Sequence, residues 1–431
     1  MKNIKKVMPL VVGVMVSALT FTGCSNNGTS LYNAINKTQA MNASEVQSDI
    51  TLNISATNMA SEESKTMGMI MAAINASKLS VVTDTYQNND KTIAKAKGDI
   101  KITGPTTLDM GVWVNTDITK DKPVIGGVLK MPDILTSQLP SGFKGKNYMT
   151  MNYDDMNSAE GKSQVDLKKL IQFSKEFQPK LLKFSADYVK QYNTKLNIIN
   201  KTDTKSINTS TGLQLVDIYE LKLDDKTFKD LMHYTLTNFG DNKDAIAFLK
   251  DYMINVTSLE GLTDKEKNDA IAEINKTFAD MPQTVTQLDK ELDTLKNINI
   301  IGSKGIKIQY AVNRAGYIVN KTGSAEFIIN LPELTKLSED NSTLTKDVKQ
   351  DSSSVSTGTN GIIGGADGST AIDASNASTG IYTVNLSFNT NYSVLDEKGT
   401  ITFPTLTKDN SFNYADLLKA ESNQSSTNTL K

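Results

Sequence analysis

Residues 46–54 alternate apolar and polar positions, with Val46, Ile50, Leu52 and Ile54 set against Gln47, Asp49, Thr51 and Asn53. That period of two marks a strand with one buried face. The pattern recurs downstream. Leu79-Ser-Val81-Val-Thr83 is expected to pair with Ala94–Ile102 across a turn at Gln87-Asn88-Asn89-Asp90. Beyond Gly104-Pro105, Leu108, Met110, Val112 and Val114 alternate with Asp109, Gly111, Trp113 and Asn115. Further strand is expected over 124–131 and 146–152. Lys95, Lys97 and Lys101 share one face, which this reading makes the wet one.

Elsewhere the period lengthens to that of helices. Leu31, Ala34 and Ile35 predict a helix of about three turns over 31–41. Residues 60–77 read as a helix rich in Ala and Met. A broad apolar stripe over 163–192 includes Phe173, Phe177, Phe184 and Tyr188, with Pro179 as a kink or the start of a second helix. Strands follow at 196–199 and 213–223, turning near Ser210-Thr-Gly212. Asp224-Asp225 then offers N-capping chemistry to the first of four helices at about 227–239, 242–255, 264–280 and 283–296. The third opens on Thr263-Asp-Lys-Glu266, a capping box, and the fourth has Pro282 near its first turn. This helical block is expected to cover the open side of the sheet or to line its hollow.

Ile306–Val312 and Tyr317–Leu331 read as a hairpin ended by Pro332, and strand returns at 381–388, 392–395 and 400–403. The stretch Ile329-Asn-Leu-Pro332-Glu-Leu334-Thr-Lys336 is echoed by Ile401-Thr-Phe-Pro404-Thr-Leu406-Thr-Lys408 at an offset of 72. The echo predicts a duplicated closing hairpin. The resulting organisation is a leader (1–23), a tether (24–30), an α+β domain (31–339), a Ser/Thr/Gly-rich loop (340–380), a C-terminal hairpin extending the sheet (381–418) and a disordered tail (419–431).

The leader changes the picture most. Lys2, Lys5 and Lys6 precede a short apolar run from Val7 to Leu19, too short for a membrane span of about 20 residues but suited to a secretory signal. It ends in Phe21-Thr22-Gly23-Cys24, and Cys24 is the only cysteine in the chain. This ending resembles the lipobox of bacterial lipoprotein signal peptides, with Phe21 where that family usually has leucine. The resemblance implies that Cys24 is the lipid attachment site and the first residue of the mature protein. It also implies anchoring on the extracytoplasmic face of the cell membrane. With the three leader lysines gone, a chain of formal charge −2 becomes more acidic, which argues against nucleic acid as a partner.

From the N-terminal helix through the meander to Lys146-Asn-Tyr148-Met-Thr-Met151, the order of elements resembles the LolA/LppX-type lipoprotein fold. It is also similar to surface lipoproteins of low-GC Gram-positive bacteria. The resemblance implies a curved antiparallel β-sheet, a half-barrel, with the helical block packed on or in its concave face. Members of that fold carry lipids or other apolar ligands in the cup.

Candidate chemistry is sparse. The one histidine, His233, lies in a helical stretch and reads as a helix-face residue, because a triad needs a base set between nucleophile and orienter. Zinc sites need several His or Cys ligands, more than the mature chain holds. Met67 and Met71 share a helix face while Met69 points elsewhere, so flexible packing or an apolar lining is a better reading than a thioether copper site. Gly361-Ile-Ile-Gly364-Gly365-Ala-Asp367-Gly368-Ser369-Thr370-Ala-Ile372 resembles a segment of the membrane β subunit of sodium-pumping decarboxylases, with Ser369 in place of that family's proline. Without membrane helices around it, a Gly-rich hairpin tip or a docking peptide reads better than an ion path.

The expectation is therefore a non-catalytic, membrane-anchored binding lipoprotein that needs no cofactor and holds a lipid or other apolar ligand in a sheet-and-helix cup. The alternative is a structural or interaction lipoprotein with a filled core, meeting an envelope protein through its surface and the 340–380 loop.

Overall fold

The computed structural model describes residues 26–59, 61–119, 123–152, 167–191, 196–209, 211–259, 262–342, 380–396 and 399–427. The leader, Cys24, the Gly361–Ile372 segment and nearly all of the 340–380 stretch lie outside the described residues.

Helix α1 (Asn26–Gln39) leads into the long strand β1 (Ala43–Thr57). Helix α2 (Ser61–Asn75) returns the chain to β2 (Lys78–Gln87), and a meander follows through β3 (Ile93–Thr103), β4 (Leu108–Asp117) and β5 (Val124–Lys130). A single turn, α3 (Asp133–Thr136), precedes β6 (Tyr148–Asn152). Helix α4 (Leu167–Gln191) continues through Pro179 as one helix, and β7 (Ile199–Thr209) and β8 (Gly212–Leu223) form a hairpin whose tight return uses Gly212 at φ +103°, where a side chain would be strained.

Four helices come next: α5 (Asp225–Asp241), α6 (Lys243–Thr257), α7 (Asp264–Ala279) and α8 (Met281–Thr294). Their starts follow local chemistry. The Asp224 side chain accepts from the Thr227 N–H, Asn242 accepts from the Ala245 N–H, and Thr263 and Glu266 close a full capping box. Pro282 falls in the first turn of α8, where its missing N–H costs nothing. After a 3-10 turn come β9 (Ile301–Asn313), β10 (Ile318–Asn330), α9 (Leu331–Ser342), β11 (Ile381–Val394), β12 (Ser411–Asn413) and α10 (Tyr414–Thr427).

The fold is α+β, built on one open mixed sheet of 12 strands in the order β12-β6-β5-β4-β3-β2-β1-β11-β10-β9-β8-β7. Every pairing is antiparallel except β12 against β6, which is parallel. One core lies where α1 and α5 cover the β7–β10 end, with Leu31, Ala34 and Leu231 packed on Tyr219, Leu221, Leu223 and Tyr310. The helical block has its own core around Leu236, Phe239, Phe278, Met281 and Val285. It therefore meets the sheet mainly through α5, rather than lining it along its length.

Several sequence expectations need correction. The segment 381–418 is not a hairpin that extends the sheet. β11 is a single strand through 381–394, and it lies in the interior of the sheet between β1 and β10. Asn389-Thr390-Asn391, which resembles a turn in composition, is ladder: the Asn320 amide donates to Asn389 Oδ1 and to Asn391 Oδ1, each at 2.8 Å. The expected strand at 400–403 is instead an irregular strap, so the repeated Ile-x-x-Pro-x-Leu-Thr-Lys octet does not mark a second hairpin. Pro332 sits in the first turn of α9 and starts a helix where a stop was expected. The polar tail from 419 is helical to Thr427, the spacer is helical from Asn26, and the strand expected at 196–199 instead occupies 199–209.

Candidate functional site: the apolar face of the sheet

Strand alternation gives the sheet two unlike faces. On the first, Asn, Ser, Thr and charged residues bond across strands: Thr51 with Ser387 at 2.6 Å, Ser80 donating to Asp49 at 2.6 Å, and Lys78 paired with Asp49 at 3.0 Å. On the second, aliphatic residues from neighbouring strands line up in rows. Ile50 faces Phe388 on one side and Leu79 on the other, and the row continues through Ile102 to Leu108. A parallel row runs from Val81 through Ile100 to Met110, and another from Gly98 through Val112 and Leu129 to Met149. Cross-strand neighbours lie about 4.8 Å apart, so each row is a continuous apolar track.

At the β7–β10 end this second face is closed by α1 and α5. Over β2–β5 none of the described helices packs broadly on it, and its aliphatic residues stay half-buried, with Val114 40% exposed. A side chain added at Gly98, in the middle of β3, would meet nothing within 4 Å. Among the described residues this face is therefore a contiguous and incompletely covered apolar surface.

One cation interrupts the apolar face. Across β1–β5, β10 and β11, Lys321 is the one charged side chain on this face among the described residues. Its ammonium lies 5.1 Å from the centre of the Phe388 ring and 5.5 Å from that of Tyr310. Burial holds the Lys321 amine below its ordinary range, pushes the Tyr310 phenol up to about 12 with help from nearby Tyr392, and raises the Tyr392 phenol as well. Beside it the Ser48 and Thr390 hydroxyls bond to each other at 2.9 Å.

The polar face is partly covered too. The chain after β11 crosses it as a strap, and Ile401 seals Trp113 and Val128, with Tyr86, Tyr148 and Phe403 around them. The Trp113 indole N–H donates to the Thr402 carbonyl at 3.1 Å. Trp113 thus lies on the face that the alternation assigns to water, as expected, yet is buried there.

The other sequence candidates do not converge. His233 on α5 faces two carboxylates of α8, with Nδ1 2.7 Å from Asp289 Oδ1 and Nε2 3.6 Å from Asp293 Oδ1, an arrangement that ties the two helices together. Met71 is buried while Met69 is 69% exposed, so the three methionines of α2 do not converge. No cluster of three or more His, Cys, Asp or Glu side chains suited to a metal ion occurs among the described residues. No described helix is long and apolar enough to cross a membrane. A cleft of ≈ 590 Å³ lies between α4 and α6, lined by Phe184, Tyr188 and Phe248 and rimmed by Lys180, Lys183, Asp187 and Asp244, with Lys183 and Asp187 paired at 2.6 Å.

Lys321 escaped the sequence reading, although a signal was present. In 317–331 it shares parity with Gly323, Ala325 and Phe327, so a charge falls on the apolar side of an alternating strand. Comparison of the chain with protein-family models, with curated proteins and with solved structures finds no match.

Proposed function

We propose that this protein is a non-catalytic lipoprotein, tethered through Cys24 to the extracytoplasmic face of the cell membrane, that receives an apolar ligand on the second face of its sheet in the manner of the LolA/LppX-type fold. The observation that carries the reading is the run of half-buried aliphatic rows from Phe388 to Leu108 and Met149, with open space above Gly98. A sheet serving only as scaffold would cover such a face, because each buried methylene contributes about 0.8 kcal/mol. The leader and its single cysteine support the tether, and a lipid-anchored binder would work where apolar ligands are found.

Native mass spectrometry of the full chain extracted from its own membrane tests this reading of the apolar face, with co-purifying lipid as the expected result. A ligand-free spectrum together with no uptake of added lipid rejects it. Metabolic labelling with palmitate tests the anchor: label in the wild type, none in Cys24→Ala.

A further inference from the structure

We propose that Lys321 is the head-group anchor of this site and that the ligand is a long-chain fatty acid, its carboxylate on the Lys321 ammonium and its chain along the row Phe388-Ile50-Leu79-Ile102-Leu108. The inference rests on the reading above, that the apolar face takes a lipid.

Three observations support it. The first is placement: a charged residue sits where every neighbour on its face is apolar or a hydroxyl. The second is that no counter-ion faces it among the described residues. The ammonium lies over the Phe388 and Tyr310 rings, and no carboxylate among the described residues pairs with it. Taking an ammonium out of water without an anion is unfavourable, and ring faces compensate only in part. A lysine kept in such a setting is poised to gain a charge-assisted bond when an anion arrives. The third is dimension. The row from Phe388 to Leu108 crosses four inter-strand steps, about 19 Å at the usual spacing, which is the reach of an extended long-chain acyl group.

Charge complementarity sets the head group. Among the described residues one cation faces the track, so one negative charge balances it. The Ser48 and Thr390 hydroxyls beside it bond to each other, which uses one of their two protons. A single-chain carboxylate suits one cation at the start of one track.

The test uses the full chain and two probes with the same conjugated-polyene tail, a fatty acid and its fatty alcohol, followed by fluorescence. Wild type should bind the acid about tenfold or more tighter than the alcohol, the worth of one charge-assisted bond. Lys321→Met should abolish that preference while binding the alcohol as wild type does, which also shows that the variant is folded. Lys321→Arg should keep the preference. Equal binding of acid and alcohol by wild type, or a preference that survives in Lys321→Met, overturns the head-group assignment and leaves the apolar reading standing. Displacement of the bound acid by an anionic phospholipid but not by unlabelled fatty acid also overturns it. Failure of both probes to bind overturns the two proposals together.

Discussion

The Asp225 carboxylate lies 2.6 Å from the Lys229 ammonium one helical turn along α5, and between them these two residues bind the helical block to the sheet. Asp225 Oδ1 accepts the backbone N–H groups of Ile300 and Ile301 at 2.8 and 2.9 Å, where β9 begins. Lys229 Nζ donates to the carbonyls of Lys296 and Ile298 at 3.3 and 2.7 Å, in the turn that ends the block. Burial alone would raise the Asp225 pKa, but the Ile301 N–H, the Lys229 ammonium and the Ile300 N–H together hold it below the usual carboxylate range. The stabilisation is therefore present above about pH 4, the unfolded carboxylate value, and is lost as pH falls through the lower folded value. Lys229→Met leaves a mostly buried carboxylate without its cation and is expected to cost about 3 kcal/mol at neutral pH. Urea unfolding followed by circular dichroism checks both statements, and a variant as stable as wild type at neutral pH would refute the second.

Trp113 is the chain's single tryptophan, so its fluorescence reports on the strap that covers it. Ending the chain at Asp396 removes Ile401 and the Thr402 carbonyl, and the native emission is expected to shift to the red as the indole meets water. Trp113→Phe loses the indole bond and part of the ring packing, at an expected cost of about 2 kcal/mol. An unshifted emission from the shortened chain would mean that the strap does not seal the indole.

Much of this architecture was open to a reader of the sequence, because period-two and helical patterns report burial directly. β1, the β2–β5 meander, the β9–β10 hairpin and the four helices with their Asp224 and Thr263 caps all arise from residues near one another in the chain. The placement of β11 does not. Its partners are Ser44–Thr57 and Asn320–Asn330, and nothing local says that a strand entering this late is inserted between them. Nor does local pattern separate a ladder asparagine from a turn asparagine, hence the misreading at Asn389 and Asn391. The apolar face was legible strand by strand. Its continuity across the sheet was not, since that depends on register between strands distant in sequence.

Two glycines on adjacent strands separate binding from stability. At Gly98 an added side chain enters open space over the apolar face, so Gly98→Phe is expected to crowd that face, weaken fatty-alcohol binding and leave the melting temperature close to wild type. At Gly111, on the polar face, an added Cβ would stand 2.6 Å from the Trp113 ring that lies over it. Gly111→Ala is therefore expected to destabilise by about 2 kcal/mol through overpacking while lipid affinity of the folded protein is unchanged. Thermal melts and lipid titration on the two variants check the contrast, and equal binding losses in both would remove the assignment of ligand to the Gly98 side.

The interior position of β11 sets the last expectation. It is hydrogen-bonded along nearly its whole length, to β1 from Ile381 to Val394 and to β10 from Ile381 to Asn391. A strand laid on an outer edge has one such ladder, whereas β11 has two, and its apolar side adds Leu386 and Phe388 to the rows. Cutting the chain at a protease site introduced between 343 and 379 should therefore leave the C-terminal piece in place. The two pieces are expected to co-elute on gel filtration, with the far-ultraviolet circular dichroism of the intact chain, and to part only in denaturant. Pulling β11 out would expose facing edges on β1 and β10 and open the sheet at its middle, so the separated N-terminal piece should aggregate. Spontaneous release of the C-terminal piece in native buffer, with the remainder still soluble and folded, would show that β11 contributes little to the sheet.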